Sequence, residues 1–276
     1  MEWKDFETLF ELGKGGFGKT YFVRHKKNEF VIKHMEFTGK MKKELWLKTV
    51  SAEKNALDLI HPNIVQIKRV VWQNTDNVLL HMEFAGNETL HSIIEECKAV
   101  DKKFKFHCIS SMISGIRFIH EQNIVHLDVK PLNVLYNNVT NVWKLSDFGA
   151  SVNLIECEIS NNEGVPLSPS RIYVSCTVPF SAPEVFKGLP ASKEMDIYSF
   201  ACLMWCVFEW CNTLYPNVIP DIIIFSICST DTRPHFKHAL EKERILCEKS
   251  WSADPKNRPT AEDLEKRIQS LYIDGD

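Results

Sequence analysis

The chain has 276 residues, 44% of them hydrophobic and 25% charged, and a formal net charge of −3. That balance excludes a disordered tail, a collagen-like fibre and a coiled coil, and it leaves ample apolar material for a core. So small a charge gives no electrostatic footprint for bulk binding to nucleic acid or to an anionic membrane.

The N-terminus, MEWKDFETLF, carries acidic residues where a signal peptide needs an apolar run. The longest apolar block, Phe200 to Phe208, falls far short of the roughly 20 residues that span a bilayer. Nine cysteines, none in a CxxC pair, form no disulfide framework of the kind short secreted chains use. Cys202, Cys206 and Cys211 read as small buried hydrophobes of one helix. A reducing, cytoplasmic compartment is expected.

In chain order, the first motif is GKGGFGKT at 13–20. Gly13, Gly18, Lys19 and Thr20 match the Walker spacing, while Gly13, Gly15 and Gly18 match G-x-G-x-x-G. Both patterns rely on glycine, which lets backbone N–H groups approach phosphate oxygens closely. A Walker loop must run straight into a helix. Here TYFVRH comes next, so Thr20–Val23 and Phe30–Ile32 predict a hairpin across the polar turn 25–29. A glycine hairpin over a nucleotide calls for a lysine on the next strand, and FVIK supplies Lys33. Its carboxylate partner is expected in the next helix, with Glu53 preferred and Glu44 second.

That helix is predicted over 41–60 from the spacing of Leu45, Val50, Leu57 and Ile60, ending at His61-Pro62-Asn63. Apolar runs at 64–72 and 78–84 complete a region of strands with one helix. Beyond Gly86 helical segments are predicted near 90–100, 104–121, 196–211 and 236–250, and from about 260. Between 150 and 180 lies a stretch rich in Asn, Ser, Pro and Gly with little periodicity, long enough to be functional.

HLDVKPLNVL at 126–135 and SDFG at 146–149 decide the reading. With the glycine hairpin and Lys33, these segments resemble eukaryotic protein kinases, and the likeness covers essentially the whole chain. It implies an α+β bilobal fold as one domain over 1–276: a small β-rich N-lobe to about 84, a hinge at about 83–89, and a mostly helical C-lobe. It implies ATP and Mg²⁺, with phosphoryl transfer to a protein hydroxyl by positioning and charge neutralisation. By that likeness Asp128 orients the substrate hydroxyl and Lys130 neutralises the γ-phosphate, a lysine typical of Ser/Thr kinases. Asn133 and Asp147 are oxygen ligands for Mg²⁺. Leu12, Gly13, Gly15, Gly16, Phe17, Gly18, Thr20 and Lys33 surround the nucleotide. Met82 is the gatekeeper, and Glu83 to Ala85 the hinge that bonds adenine. Phe148 packs beneath the helix of Glu53 and, with Leu57, Ile67 and His126, builds a spine. Gly149, Thr177 and Glu184 belong to the activation segment and substrate platform, with Arg258 the buried partner of Glu184. Asp196 is expected to cap a helix and brace the catalytic loop.

Some residues depart from the family pattern. Thr20 and Val31 replace the usual valine and alanine around adenine, and Cys176 replaces a glycine before Thr177. Leu127 stands where most members carry the arginine that pairs with an activation-segment phosphate. Leucine forms no charge-assisted bond, so activity is expected without phosphorylation through this pocket. Ser168-Pro169 would suit a proline-directed kinase, though Ser-Pro in a loop is usual turn chemistry. HLDVKP is similar to Mos-like and Wee-like kinases; MEFAGNETLH at 82–91, DIYSFA at 196–201 and DTRP at 231–234 favour the Mos-like group. That likeness implies a MAP kinase kinase as protein substrate and a role in oocyte meiosis; a monomer is expected, and from charge and hydropathy no nucleic-acid or membrane partner. The alternatives are a Wee-like kinase acting on a cyclin-dependent kinase, a scaffold that binds ATP without turnover, and a P-loop NTPase.

Overall fold

The computed structural model describes residues 3–15, 18–39, 41–156 and 176–273. An antiparallel sheet comes first: β1 (Glu7–Lys14), β2 (Lys19–His25), β3 (Asn28–Glu36), β4 (Ile67–Asn74) and β5 (Asn77–Met82), in the spatial order β1-β2-β3-β5-β4. The hairpin β2–β3 forms where β-branched and aromatic residues alternate, and it turns through Lys26 at a left-handed φ of 57°.

Helix α1 (Lys43–Glu53) covers one face of this sheet, burying Trp46 and Val50 against Met35, Val78 and Leu80. It is shorter than the predicted 41–60. One 3₁₀ turn succeeds it at Lys54–Ala56, Leu57 is extended and bridged to Ile67, and Asp58 takes a φ of 68°. The chain therefore leaves the helix before Pro62 acts on it. Leu57 packs beside Ile67 against the main core, a contact that a continued helix would turn away.

The rest is largely helical: α2 (Leu90–Glu95), α3 (Lys102–Glu121), α4 (Pro183–Phe186), α5 (Lys193–Glu209), α6 (Pro220–Ser229), α7 (Glu241–Ser250) and α8 (Ala261–Ile273). Side-chain caps decide where two of these start. Thr89 and Ser92 form a reciprocal capping box on α2, and Asp101 accepts from Phe104 N, so α3 begins two residues before the predicted 104. Helix α2 stops at Glu95, short of 100, and α7 begins at Glu241, not 236. Helix α5 is buried from Met195 to Glu209, as a helix apolar on all sides must be. Cys202 and Cys206 lie inside it, as expected. Cys211 does not: Trp210 ends the helix at a φ of 51°, leaving Cys211 half-buried beyond it.

The sequence reading missed α4, α6 and the short strands of this part. Strands β6 (Glu88–Thr89), β8 (Val134–Asn137) and β9 (Val142–Leu145) form one small sheet, and β7 (Ile124–Val125) pairs with β10 (Val152–Asn153). They flank the segments 126–135 and 146–149, and each is too short to show a period of its own. One core cluster runs from Leu57 and Ile67 through Leu145 and Phe148 into α3 and α5, so the two parts share buried side chains. Among the described residues no helix is long and apolar enough to cross a membrane.

Candidate active site

Residues directly opposite each other in an antiparallel sheet point to the same face. Register therefore assembles one wall of the candidate site. Phe10, Phe22, Val31, Met82 and Ile67 form one cross-strand row; Gly13, Thr20, Lys33, Leu80 and Val70 form the next. Thr20, Val31, Lys33 and Met82, far apart in sequence, thus share one face.

At the glycine turn, Gly15 N–H bonds Gly18 O at 2.9 Å, which closes the loop between β1 and β2. A Cβ at Gly18 would lie 2.5 Å from His34 O, so only glycine fits there. Gly13 and Gly15 differ. A Cβ at Gly13 meets nothing within 4 Å, and one at Gly15 meets only Gly18 O at 3.9 Å. Packing among the described residues does not require glycine at these two positions, and the space above the loop there is open. Leu12 sits half-buried at the end of β1, while Gly16 and Phe17 lie outside the described residues. The loop runs into strand β2 and not into a helix, which excludes the Walker geometry.

Beyond Met82 the chain passes between the two parts. Glu83 donates its N–H to Gln66 O at 3.1 Å, and its carboxylate accepts from Gln66 N and Lys144 Nζ, both at 2.8 Å. The side chain is thus anchored to β4's approach and to β9, away from ligand duty. Ala85 is buried. Gly86, at a φ of 105°, passes so close to Tyr136 that a Cβ would sit 2.1 Å from its carbonyl oxygen.

Lys33 Nζ lies between two carboxylates, 2.5 Å from Glu53 Oε1 and 2.7 Å from Asp147 Oδ1. Glu44 is exposed and pairs with Lys48 instead. Burial opposes the ammonium charge, yet Asp147 and Glu53 outweigh it and hold Lys33 above its ordinary value. Glu53 responds the other way: burial, aided by Asp147 and opposed by Lys33, pushes its carboxyl up to about 7. Desolvation by the surrounding protein also works against the Asp147 charge, although the side chain is partly exposed, but Lys33 dominates and holds that carboxylate well below its ordinary range. Asp147 has a left-handed φ of 64°. Phe148 beside it is buried and meets His126 edge-on at 4.8 Å. Gly149 approaches α1 closely, a Cβ there lying 3.1 Å from Thr49 Cγ2.

In the catalytic loop Asp128 is held from three directions. Lys130 Nζ donates to its Oδ2 at 2.6 Å, Thr177 Oγ1 to its Oδ1 at 3.0 Å, and Asn133 Nδ2 to its carbonyl at 2.8 Å and Oδ2 at 2.9 Å. Lys130 also reaches Thr177 Oγ1 at 2.8 Å. Burial raises the Asp128 carboxyl, and Lys130 only partly offsets it. Asn133 spends its NH₂ on Asp128, so Oδ1 is the atom it retains for a hard cation. Among the described residues no group of three or more His, Cys, Asp or Glu could hold a metal unaided. Asn133 Oδ1 and the Asp147 carboxylate are oxygen donors of the kind a hard cation takes, too few by themselves to complete its shell.

The loop is braced from below. Asp196 accepts from His126 N and Leu127 N, both at 2.8 Å, and from His120 Nε2 at 2.9 Å. It occupies the first turn of α5, and the N-cap is Ser192; the expected bracing is present and the expected capping is not. Leu127 carries a φ of 63°, a conformation that costs a leucine roughly 1–2 kcal/mol and that its bond to Asp196 helps offset. Its side chain packs against the main core. Farther on, Arg258 grips Glu184 with two bonds, at 2.6 and 2.9 Å, and both residues are buried. Ser151 Oγ donates to Ala52 O and accepts from Asn55 Nδ2, both at 2.9 Å, tying the end of α1 to the segment after Gly149. No local pattern marks such a bond. Ser168 and Pro169 lie outside the described residues.

The protein kinase domain model matches residues 6–268. The chain belongs to the protein kinase family. Kinases named serine/threonine-protein kinase mos are similar to it along nearly the whole of this chain: the Xenopus laevis protein is 28% identical over 284 residues, covering 98% of this chain and 77% of the relative. The Patiria pectinifera protein is 27% identical over 94% of this chain and 73% of its own. The Sus scrofa proto-oncogene kinase is 28% identical over 99% and 83%. This kinase is accordingly a protein serine/threonine kinase, similar to the proteins named mos, with a sheet-rich N-terminal part and a helical C-terminal part. Family membership implies ATP, a divalent metal and a protein substrate.

Proposed function

We propose that this kinase transfers the γ-phosphate of Mg-ATP to a serine or threonine of a MAP kinase kinase, a Mos-like role in a MAP kinase cascade of oocyte meiosis. The observation that carries the catalytic part is the joint placement of Lys33 on Glu53 and Asp147, beside Asp128 on Lys130 and Thr177. Charge neutralisation and orientation are what phosphoryl transfer asks of a protein. In this reading Mg-ATP supplies the transferable group and the cation that draws charge from it. The backbone of Leu12 to Gly15 and of Gly18 to Thr20 would cover the phosphates, Lys33 would pair with them, and Asn133 and Asp147 would hold the metal. Met82, Glu83 and Ala85 line the adenine end. Asp128 accepts a hydrogen bond from the acceptor hydroxyl, and its raised pKa brings it nearer to a useful base. Lys130 steadies developing charge on the oxygens in transfer.

The substrate assignment rests on likeness to proteins named mos and on the segments 82–91, 196–201 and 231–234. Leu127, half-buried against the core at the place of the usual phosphate-reading arginine, supports activity without a phosphorylated activation segment. We treat the chain as a single catalytic domain acting as a cytoplasmic monomer. The direct test is incubation with Mg-ATP and a catalytically inactive MAP kinase kinase, alongside Lys33→Ala and Asp128→Asn. Phosphate on Ser or Thr of the acceptor, lost in both variants, is the expected result. An unlabelled acceptor beside a labelled generic protein would remove the substrate assignment, and no transfer to any acceptor would favour a scaffold.

A further inference from the structure

Three aromatic rings pack on one another beside the site and outside every core of the sheet. Phe10 on β1 stands opposite Phe22 on β2, with ring centroids 5.0 Å apart, and Phe84, just past β5, meets Phe22 at 4.8 Å. Both separations lie in the range that aromatic pairs prefer. Among the described residues, none of the three joins the clusters that hold Trp46, Val23 or Leu145. Phe10 is 47% and Phe84 37% exposed, and Phe22, which touches both, is half-buried. Rings left so far in solvent return less to folding than buried ones, and the stack calls for another use.

Direction and attachment point to that use. Phe22 lies opposite Val31, two residues from Thr20 opposite Lys33. Its ring therefore shares the face from which Lys33 reaches Glu53 and Asp147. Strands β1 and β2 also carry the glycine turn, which Gly15 N–H and Gly18 O close. Phe22 is four residues from Gly18, roughly 13 Å along an extended strand, at the base of a lever whose tip is that turn. Phe84 is held elsewhere. It follows Glu83, whose carboxylate accepts from Gln66 N and Lys144 Nζ, both at 2.8 Å. The Phe22–Phe84 contact thus ties the base of the glycine hairpin to an anchored segment, a tie additional to the β2–β3 ladder.

We propose that Phe22 and Phe84 are positioning residues for the nucleotide. Their contact, with Phe10 packed behind it, fixes the height of the glycine hairpin over the site and resists the lifting through which nucleotide enters and leaves. It acts on bound nucleotide before and during transfer alike, so KM for ATP and Kd for ADP carry the effect and kcat is not lowered. The proposal rests on nucleotide binding at this site and not on which acceptor is natural.

The test measures Kd for Mg-ADP by calorimetry, which needs no acceptor, and steady-state kinetics on a generic protein acceptor. It compares the parent with Phe22→Ala, Phe84→Ala, the double variant and Phe84→Tyr. Each alanine is expected to raise Kd for ADP and KM for ATP about fivefold, the scale of one aromatic pair. The double variant should bind no more weakly than the weaker single one, because either alanine already breaks the contact. Phe84→Tyr keeps the ring and should stay within about twofold of the parent. Losses that multiply in the double variant would make each ring an independent contact with the nucleotide and overturn the proposal. An unchanged Kd would overturn it too, as would a fall in kcat with KM unmoved. Should Phe22→Ala melt below the parent, Phe22→Leu takes its place in the cycle. If the parent phosphorylates no acceptor, the proposed function falls while the Kd values still decide this contact; a parent that binds no nucleotide removes both.

Discussion

Two charged clusters in this kinase look alike on paper and differ in physics. Lys33, Glu53 and Asp147 join three separate elements across the cleft, and Asp147 keeps 42% of its side chain exposed. Arg258 and Glu184 lie inside the helical part, where Arg258 also donates to Ser252 O and Glu194 O and its guanidinium stacks 5.1 Å from the Tyr198 ring. The first cluster has coupled groups pushed in opposite directions, Glu53 up and Asp147 down. It can rearrange when a metal and phosphates arrive. The second is saturated with partners and has nothing further to bind. On the proposed function, the first cluster is chemistry and the second is scaffold.

Breaking each in turn separates these roles. Lys33→Ala and Asp128→Asn are expected to lower kcat/KM by at least about 10³-fold, since each removes a group aimed at transferring charge. The melting temperature should scarcely move for Lys33→Ala, because Glu53, already raised to about 7, can take a proton once its partner is gone. A large loss of stability in that variant would erase the contrast. Arg258→Ala is the reverse case. It leaves Glu184 buried without its cation, at a cost of roughly 3–5 kcal/mol, measurable by denaturant unfolding and accompanied by loss of activity only through the platform.

A pH series sharpens the comparison. With the Glu53 carboxyl raised from 4.5 to about 7, the Lys33–Glu53 ion pair of the free enzyme weakens as pH falls through 7. The kcat/KM for ATP should then decline up to about tenfold per pH unit below that point, and Glu53→Gln should lose this limb. The same shift acts oppositely on stability. Between 4.5 and 7 the folded state holds a proton that the unfolded chain has released, so the contribution of Glu53 to stability falls as pH rises through that window. Activity and stability therefore move apart with pH at this residue, which a purely structural pair would not do. The smallest expected effect concerns Leu127: phosphatase treatment should change activity by less than about twofold. Abolished activity, reproduced by replacing one activation-segment Ser or Thr, would show a phosphate-dependent switch despite the leucine.

Much of the site was legible because phosphoryl transfer demands particular residues in a particular order. Lys33, Asp128, Lys130, Asn133 and Asp147 are chemically constrained, and the structure brings them together. Glu53 was separable from Glu44 only as a preference, since both lie in the same helix; which one turns toward β3 depends on how α1 seats against the sheet. The helix ends at 53 and 56, the role of Asp196 below the loop rather than at a cap, and the bond of Ser151 to Ala52 have no signature in composition or period. They arise from side chains that meet across long stretches of chain. Helix α6 was invisible for a different reason: with apolar residues on every side it shows no helical stripe.

By itself, then, the amino-acid sequence determined the family, the glycine hairpin and the identity of the chemical groups, because backbone freedom at glycine and charge at lysine and aspartate are properties of residues. Tertiary structure alone decided which carboxylate meets Lys33, how Asp196 restrains a strained Leu127, and that one face of α6 remains uncovered. Those outcomes depend on burial and on distances between elements remote in sequence, and such distances exist only once the core has packed.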